Sequence, residues 1–291
     1  MSLSSESYLV GLIGDGITTS LSPYLHEQEA KAHGLDYLYR PVDLLDRAVK
    51  ATRLPELLEF GRIFGFNALT ITHPCKQSVI PLLDRLTPDA EEIGAVNTVI
   101  IEKDGSLSGH NTDWSGYAWA VRRRLENADF SSVVMFGAGG AGSAVGYALL
   151  KHGVGLLTIV DPDSVKAAHL AEQLRSQYPS ANIVSIAPEN IAVTMETASG
   201  LVNASPIGMH MHPGLPVDEK YISKRLWVSD VVYRPLKTEL IVIAEERGCL
   251  VMHGGFMAVG QAIDGFEAIT GVQADGDRML IHFEQMITAG Q

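Results

Sequence analysis

Val133-Val134-Met135-Phe136-Gly137-Ala138-Gly139-Gly140-Ala141-Gly142 is a short apolar run that turns into a glycine repeat, and Ser143 to Lys151 behind it reads as a helix. A run of this length fits a buried parallel strand, and the G-x-G-x-x-G spacing fits the tight turn that feeds a helix. Such a turn aims backbone N–H groups and the positive end of the helix dipole at one point, which suits a pyrophosphate. The next apolar run, Leu157 to Val160, ends at Asp161, twenty-four residues past Gly137. A carboxylate placed there accepts both hydroxyls of an adenosine ribose and repels a 2′-phosphate, so NAD is expected over NADP. Strand, turn, helix, strand and terminal acid together point to a dinucleotide-binding unit rather than a purely structural glycine turn. The neighbouring Asp163 reads as the N-cap of the following helix rather than as a second ribose ligand.

Working outward, further strands are expected at Asn182 to Ile186, Leu201 to Asn203, Trp227 to Val232 and Leu250 to Met252, with a helix from Asp113 to Leu125 before the glycine turn. Upstream, strands at Tyr8 to Ile13, Tyr37 to Val42 and Asn67 to Ile71 alternate with helical stretches. One of these opens at Ser22-Pro23, with Ser22 at N-cap and Pro23 at N1, and closes near Gly34. Others are expected around Arg47 to Phe60 and after Pro74 and Pro88. Asn97 to Asn111 reads as a hairpin because Asp104-Gly105 supplies turn residues between two alternating runs. Alternating strands and helices make the chain α/β. Two domains are expected: an N-terminal mixed α/β domain over 1–112 and a Rossmann-type, doubly wound dinucleotide-binding domain over 113–254. Helices at Gly255 to Thr270 and Asp275 to Ile287 have no following strand, so residues 255–291 are expected to complete the first domain.

Composition agrees. At 291 residues the chain is about twice a typical domain, with 46% hydrophobic and 19% charged residues. Net charge is −12, and no basic block exceeds Arg122 to Arg124, so nucleic acid is not an expected partner. The first residues lack a basic leader, and Ser, Asp, Glu or Gly breaks every apolar run before it reaches membrane-spanning length. A cytoplasmic protein is therefore expected, and the two cysteines, Cys75 and Cys249, form no disulfide framework. No heptad or long apolar edge sets an oligomeric state, and a monomer or homodimer is expected.

Hydroxyls, amides and one lysine collect at strand ends in the first domain: Ser20-Leu21-Ser22-Pro23, Thr70-Ile71-Thr72-His73-Pro74-Cys75-Lys76, and Asn97 with Asn111-Thr112-Asp113. Open α/β sheets bind ligands at such ends, and these groups suit a small polyhydroxylated molecule. Each also has a plain alternative: Ser22 and Asp113 as helix caps, Thr72 as a β-former, and Lys76 as a surface charge.

The combination resembles the shikimate dehydrogenase family, and within it the NAD-using quinate/shikimate branch. The likeness runs through Ser20-x-Ser22-Pro23, Thr72-x-Pro74-x-Lys76, Ile93-Gly94-Ala95-Val96-Asn97-Thr98, Gly109-His110-Asn111-Thr112-Asp113-x-x-Gly116 and the glycine turn. It continues through Asn203-Ala204-Ser205-Pro206-x-Gly208-Met209, Asp230-x-x-Tyr233-x-Pro235-x-x-Thr238, and Gly254 with Met257 and Gln261. The resemblance implies Lys76 and Asp113 as catalytic pair. It implies Ser20, Ser22, Thr72, Asn97 and Gln261 as substrate contacts, joined by the catalytic pair, and Tyr233 is a further candidate beside them. It also implies Gly137, Gly139, Gly140, Asp161, Ala204 and Gly254 along the cofactor cleft, where Ala138, Ala141, Asn203, Val231 and Met257 are expected as well. Thr19 and Thr70 depart from the His and Asn that family members often carry, which bears on substrate preference. The basic residues of NADP-dependent members after the second strand of the cofactor domain are absent, and Asp161-Pro162-Asp163 stands there instead.

The implied reaction oxidises the C3 hydroxyl of quinate, shikimate or another hydroxylated cyclohexane or cyclohexene carboxylate. Hydride leaves for nicotinamide and a proton for a base, so Lys76, steered by Asp113, is expected to act as that base or as an electrostatic clamp. The two are expected to meet at the mouth of the cleft between lobes. Ser20 and Ser22 beside a helix N-terminus would bind the substrate carboxylate without a buried arginine. The competing readings are an NADP-dependent biosynthetic shikimate dehydrogenase, an aminoshikimate-type homologue, a catalytically idle dinucleotide-binding module, and another two-domain enzyme such as a methylene-tetrahydrofolate dehydrogenase. The last leaves the serine and Asn-Thr-Asp motifs unexplained. No metal is expected, because His210-Met211-His212-Pro213 lacks a third ligand, and Cys75 reads as an inert buried thiol. Tyr117-Ala118-Trp119 and Phe256-Met257 read as packing, and Tyr233 equally as a substrate contact or as a wedge between domains.

Overall fold

A computed structural model describes residues 7–288, so the leader reading of the first six residues lies outside it. The chain divides into two compact units, one running to Thr112 and resuming at Val259, the other Asp113–Ala258.

In the first unit, β1 (Ser7–Gly14), α1 (Ser22–Ala32), β2 (Asp36–Asp43), α2 (Leu54–Ile63) and β3 (Ala68–Ile71) form two parallel crossovers. They are followed by β4 (Arg85–Leu86), α3 (Pro88–Ile93), β5 (Thr98–Ile101) and β6 (Leu107–His110). The sheet order is β2-β1-β3-β5-β6-β4. β5 and β6 are the expected hairpin, with Gly105 at φ +82 in its turn, and β5 pairs antiparallel to β3. One core lies where Ile13, Leu54, Leu58, Leu69, Ile71 and Val99 pack together.

In the second unit, α4 (Thr112–Arg124) leads into β7 (Ser132–Phe136), α5 (Gly140–His152), β8 (Leu156–Val160), α6 (Ser164–Gln177), β9 (Asn182–Ile186) and α7 (Ile191–Thr197). After these come β10 (Gly200–Asn203), β11 (Trp227–Asp230), α8 (Glu239–Glu246) and β12 (Leu250–Met252). All neighbours in the order β12-β11-β10-β7-β8-β9 are parallel, so β7 lies mid-sheet and the chain winds first one way and then the other from it. That order is doubly wound, and β7 is fully buried, as its unbroken apolar run requires.

Last come α9 (Gly254–Thr270) and α10 (Gly276–Thr288). In the first unit α10 packs on α1, where the Glu29 carboxylate accepts from Arg278 Nε at 2.8 Å, Arg278 Nη2 at 2.6 Å and the Asp275 N–H at 2.7 Å.

Several local expectations shift. The helix expected from Arg47 begins at Leu54, because Pro55 is tolerated only in a first turn and Ala48 at φ +50 breaks the preceding segment. No helix follows Pro74: the Lys76 carbonyl accepts from Val96 N–H at 2.9 Å, which removes it from a helical ladder, and only a 3-10 turn, Ile80–Leu82, forms. The strand from Trp227 stops at Asp230, whose own side chain takes the Val232 N–H. Ser22 is the first residue of α1 rather than its cap; Leu21 precedes it and no side chain caps the helix.

Candidate active site

In the first unit, strand direction gathers the polar segments at one end of the sheet. β1 and β3 end there, β5 starts there and β6 ends there. Thr72 N–H donates to Ile13 C=O at 2.9 Å, Ile71 N–H to Asn97 C=O at 2.7 Å, and Asn97 N–H to His110 C=O at 3.0 Å. Thr72, Asn97 and the Asn111-Thr112 segment therefore stand side by side. The Asn97 side chain, buried, accepts from Thr112 N–H at 2.8 Å and donates to Thr112 Oγ1 at 3.0 Å. Asn111 donates to Ala95 C=O at 2.9 Å. Lys76 follows Thr72 by one turn, with Cys75 N–H on Thr72 C=O, and is half-buried rather than a free surface charge.

The loop carrying Ser20 and Ser22 is held by a residue that sequence reading missed. Asp43, at the end of β2, accepts from the N–H groups of Gly16, Ile17 and Thr18 and from its own neighbours Leu45 and Asp46. Burial pushes its carboxyl up, yet the N–H groups of Asp46, Gly16, Ile17 and Thr18 together hold it below its usual value. Ser20 Oγ accepts from Ser22 N–H at 3.3 Å, so both serines sit half-buried at the start of α1. Gln261 lies half-buried on α9. Of the two departures, Thr19 is exposed, while Thr70 Oγ1 donates to Gly11 C=O at 3.1 Å and bonds the Tyr39 hydroxyl. Cys75 is fully buried, and burial followed by the charge of Asp15 pushes its thiol up, as an inert cysteine requires.

In the second unit, β7 enters the glycine turn. Gly137 adopts φ +105, and a Cβ on it would lie 2.6 Å from Ala204 C=O, so no other residue fits there without a backbone shift. Ala204 is pinned in turn by its N–H on Phe136 C=O at 2.7 Å. Gly139 precedes α5, a Cβ on it would meet nothing within 4 Å, and no side chain caps the helix. Backbone N–H groups at an uncapped helix start beneath open space form a cradle for a diphosphate. Asp161 closes it from the tip of β8: Oδ2 accepts from Ala138 N–H at 2.8 Å and Oδ1 from Asp163 N–H at 2.9 Å. Asp163 caps α6 through the N–H groups of Val165 and Lys166, the N-cap role expected of it. These residues fit a dinucleotide.

The remaining residues expected toward the cofactor sit at the end of β10 or follow β10, β11 and β12. Asn203 is fully buried, and its amide serves the chain itself: Nδ2 donates to Ile207 C=O at 2.8 Å and Asp230 Oδ1 at 2.9 Å, and Oδ1 accepts from Ser205 Oγ at 2.6 Å. Val231 N–H donates to Asn203 C=O at 2.9 Å. A Cβ on Gly254 would lie 2.5 Å from the carbonyls of Val231 and Val232, so α9 starts hard against that loop. Met257 is buried and Tyr233 half-buried. Asp113 lies in the first turn of α4 and is 1% exposed, so it is a buried acid rather than a solvated cap. Tyr117 and Phe256 are core side chains. Among the described residues no three His, Cys, Asp or Glu form a metal-binding group, and His210 and His212 are exposed. No described helix is long and apolar enough to cross a membrane.

Comparison with known proteins bears on this geometry. Residues 12–99 match the model of the shikimate dehydrogenase substrate binding domain, and residues 116–181, which include the glycine turn, match that of the ThiF family. A shikimate dehydrogenase (NADP(+)) of Arthrobacter sp. (strain FB24) is 49% identical over 99% of this chain and 98% of its own length. A quinate/shikimate dehydrogenase (NAD(+)) of Corynebacterium efficiens is 42% identical over 97% of this chain and 99% of its own. Quinate dehydrogenase from Corynebacterium glutamicum, solved in complex with NAD, superposes with a TM-score of 0.90 at 42% identity, covering 96% of this chain and 99% of that one. With a mixed sheet in one unit and a doubly wound parallel sheet in the other, the chain belongs to the shikimate dehydrogenase family of pyridine-nucleotide oxidoreductases.

Proposed function

We propose that this chain is an NAD-dependent dehydrogenase that reversibly oxidises the C3 hydroxyl of quinate, shikimate or a close relative to the ketone. Asp161 carries the cofactor half of the reading. Its carboxylate stands at the tip of β8, fixed to the glycine turn through Ala138 N–H, with Pro162 and Asp163 next in sequence rather than a basic residue. A 2′-phosphate would meet like charge there, whereas ribose hydroxyls would donate to it.

When bound, NAD supplies the hydride acceptor. The turn Gly137-Ala138-Gly139-Gly140-Ala141 holds the diphosphate, Asp161 the ribose, and Asn203, Ala204, Val231, Gly254 and Met257 shape the nicotinamide end. Ser20 and Ser22 bind the ring carboxylate as neutral donors. Thr72, Asn97, Tyr233 and Gln261 orient the ring hydroxyls. Lys76 either takes the proton of the C3 hydroxyl as a neutral amine or, as an ammonium, stabilises the negative charge that develops on the C3 oxygen, and Asp113 keeps the side chain placed there. Apart from Asp161, the same residues would serve an NADP-dependent shikimate dehydrogenase, the reading favoured by the name of the 49%-identical Arthrobacter relative.

Initial rates with quinate and shikimate against each dinucleotide separate the two; a higher kcat/KM with NADP removes the NAD assignment. In the same assay Lys76→Ala lowers kcat by about 100-fold or more while the dissociation constant of NADH stays put. Wild-type turnover in that variant overturns the catalytic assignment.

A further inference from the structure

Both loops that border the cofactor glycines of the second unit are tied to one buried carboxylate that no catalytic or cofactor role above uses. Asp230 ends β11 at 1% exposure. Its Oδ1 accepts from Asn203 Nδ2 at 2.9 Å and from Val232 N–H at 2.9 Å, and its Oδ2 accepts from Thr238 Oγ1 at 2.6 Å. Through Asn203 it reaches Ser205 and the Ile207 carbonyl, which close the 204–208 loop whose Ala204 backbone fills the space beside Gly137. Through Val232 it sets the 231–232 loop, whose carbonyls fill the space beside Gly254. Through Thr238, the N-cap of α8, it fixes where the chain re-enters a helix.

We propose that Asp230 is a positioning residue of the dinucleotide cleft: its carboxylate, in the charged form, holds the 204–208 and 231–232 loops in the spacing that receives the nicotinamide end of the cofactor. The inference rests on the cofactor reading above.

The three donors fix the required state. A carboxylate accepts from all of them; a protonated acid carries a hydrogen on one oxygen and must give up or reverse one bond, which lets a loop move. Among the described residues no ion pair forms with Asp230; its oxygens take the neutral donors above. The ionisable side chains on the neighbouring segments are Asp113, Tyr117 and Arg122 to Arg124 of α4, where Tyr117 donates to Ser229; Tyr233, Arg234 and Lys237 between β11 and α8; Glu239, Glu245 and Glu246 of α8; and Cys249 and His253 on either side of β12, His253 stacking on Phe256. Burial accordingly raises the carboxyl to about 6, against the pull of the Thr238, Val232 and Asn203 donors.

The test is NADH affinity from about pH 5 to about pH 8, read by fluorescence for wild type, Asp230→Asn and Thr238→Val, with melting temperatures alongside. NADH is used because it lacks the 2′-phosphate, which titrates in this range. Wild-type affinity falls about tenfold per pH unit once pH drops below the carboxyl's value. Asp230→Asn, which cannot carry the charge, binds as weakly at neutral pH as wild type does in acid, and its profile is flat across this range. Thr238→Val, which removes a donor to the charged form, moves the acid limb to higher pH. A Thr238→Val limb that stays in place, or an Asp230→Asn protein that binds with the wild-type profile, overturns the inference. So does an Asp230→Asn protein of lowered melting temperature whose profile keeps the wild-type acid limb, since that marks a purely structural role and assigns the limb to another group such as His253. Wild-type protein that binds no NADH at any pH overturns the cofactor reading itself, and the inference with it.

Discussion

Asp43→Asn tests whether a buried carboxylate, rather than the serine motif alone, builds the ring-acid end of the first unit. Asp43 is 4% exposed, with Oδ1 accepting from Gly16 N–H at 3.0 Å, Leu45 N–H at 3.0 Å and Asp46 N–H at 3.3 Å. Its Oδ2 accepts from Ile17 N–H at 2.6 Å and Thr18 N–H at 3.1 Å. Asparagine keeps one oxygen and replaces the other with an NH2 group. The cheaper orientation leaves oxygen at the three-donor side and turns NH2 against the N–H groups of Ile17 and Thr18. The buried Ile17 N–H left without an acceptor costs about 1–3 kcal/mol and the Thr18 N–H, on an exposed residue that water reaches, costs less, so the closed loop loses about 1–4 kcal/mol. Because that is a large part of a typical stability of about 5–15 kcal/mol, the loop is expected to open before the domain unfolds. The urea midpoint of the variant should drop, and KM for the ring acid should rise at least about tenfold, the equivalent of about 1.4 kcal/mol. NADH affinity, a property of the second unit, should stay constant. The pH dependence has a definite sign. The folded carboxyl lies below its ordinary value of 3.8, so its stabilisation is complete above that value and is lost as pH falls through the folded one. The stability gap between wild type and variant should therefore be full at neutral pH and close in strong acid. A variant with wild-type midpoint and wild-type KM at neutral pH would refute the reasoning.

Gly137→Ala should cost about 1–3 kcal/mol of stability, because φ +105 and the Ala204 carbonyl leave no room for a methyl group, and should cut NADH affinity as the turn shifts; unchanged binding by calorimetry contradicts the cradle. Arg278→Leu leaves the fully buried Glu29 carboxylate with only Asp275 N–H and His33 as partners. Since Arg278 is 32% exposed, the loss is expected at roughly 2 kcal/mol rather than the ~3–5 kcal/mol of a wholly buried pair. Adding Glu29→Gln should recover part of it, and a double variant no more stable than Arg278→Leu alone in urea would show that the charge pairing is unimportant.

Local chemistry was read correctly where one short segment contains its own cause. The glycine turn, its helix, the strand ending before Asp161, the Asp163 cap and the Asp104-Gly105 hairpin are all decided by residues within a few positions of each other. Reading failed where a distant group intervened. The segment after Pro74 carries no sign that Val96 will take the Lys76 carbonyl, and the segment after Asp43 carries none that Gly16, Ile17 and Thr18 will turn toward that acid. Asp230 and Thr238 lay inside a quoted motif, yet their spacing alone could not say that they bond each other and Asn203.

By itself, then, the sequence determined the α/β class, the position of the glycine turn and the polar segments at the strand ends, because apolar periodicity, glycine tolerance and side-chain chemistry act over short stretches. Only the tertiary structure decided which buried carboxylates organise those segments. Asp43 is more than two dozen residues from the loop it holds, Asp230 is 27 from Asn203, and Glu29 is 249 from Arg278. The partners of a buried charge are chosen by what the folded chain brings within about 3 Å of it, and sequence spacing carries no record of that.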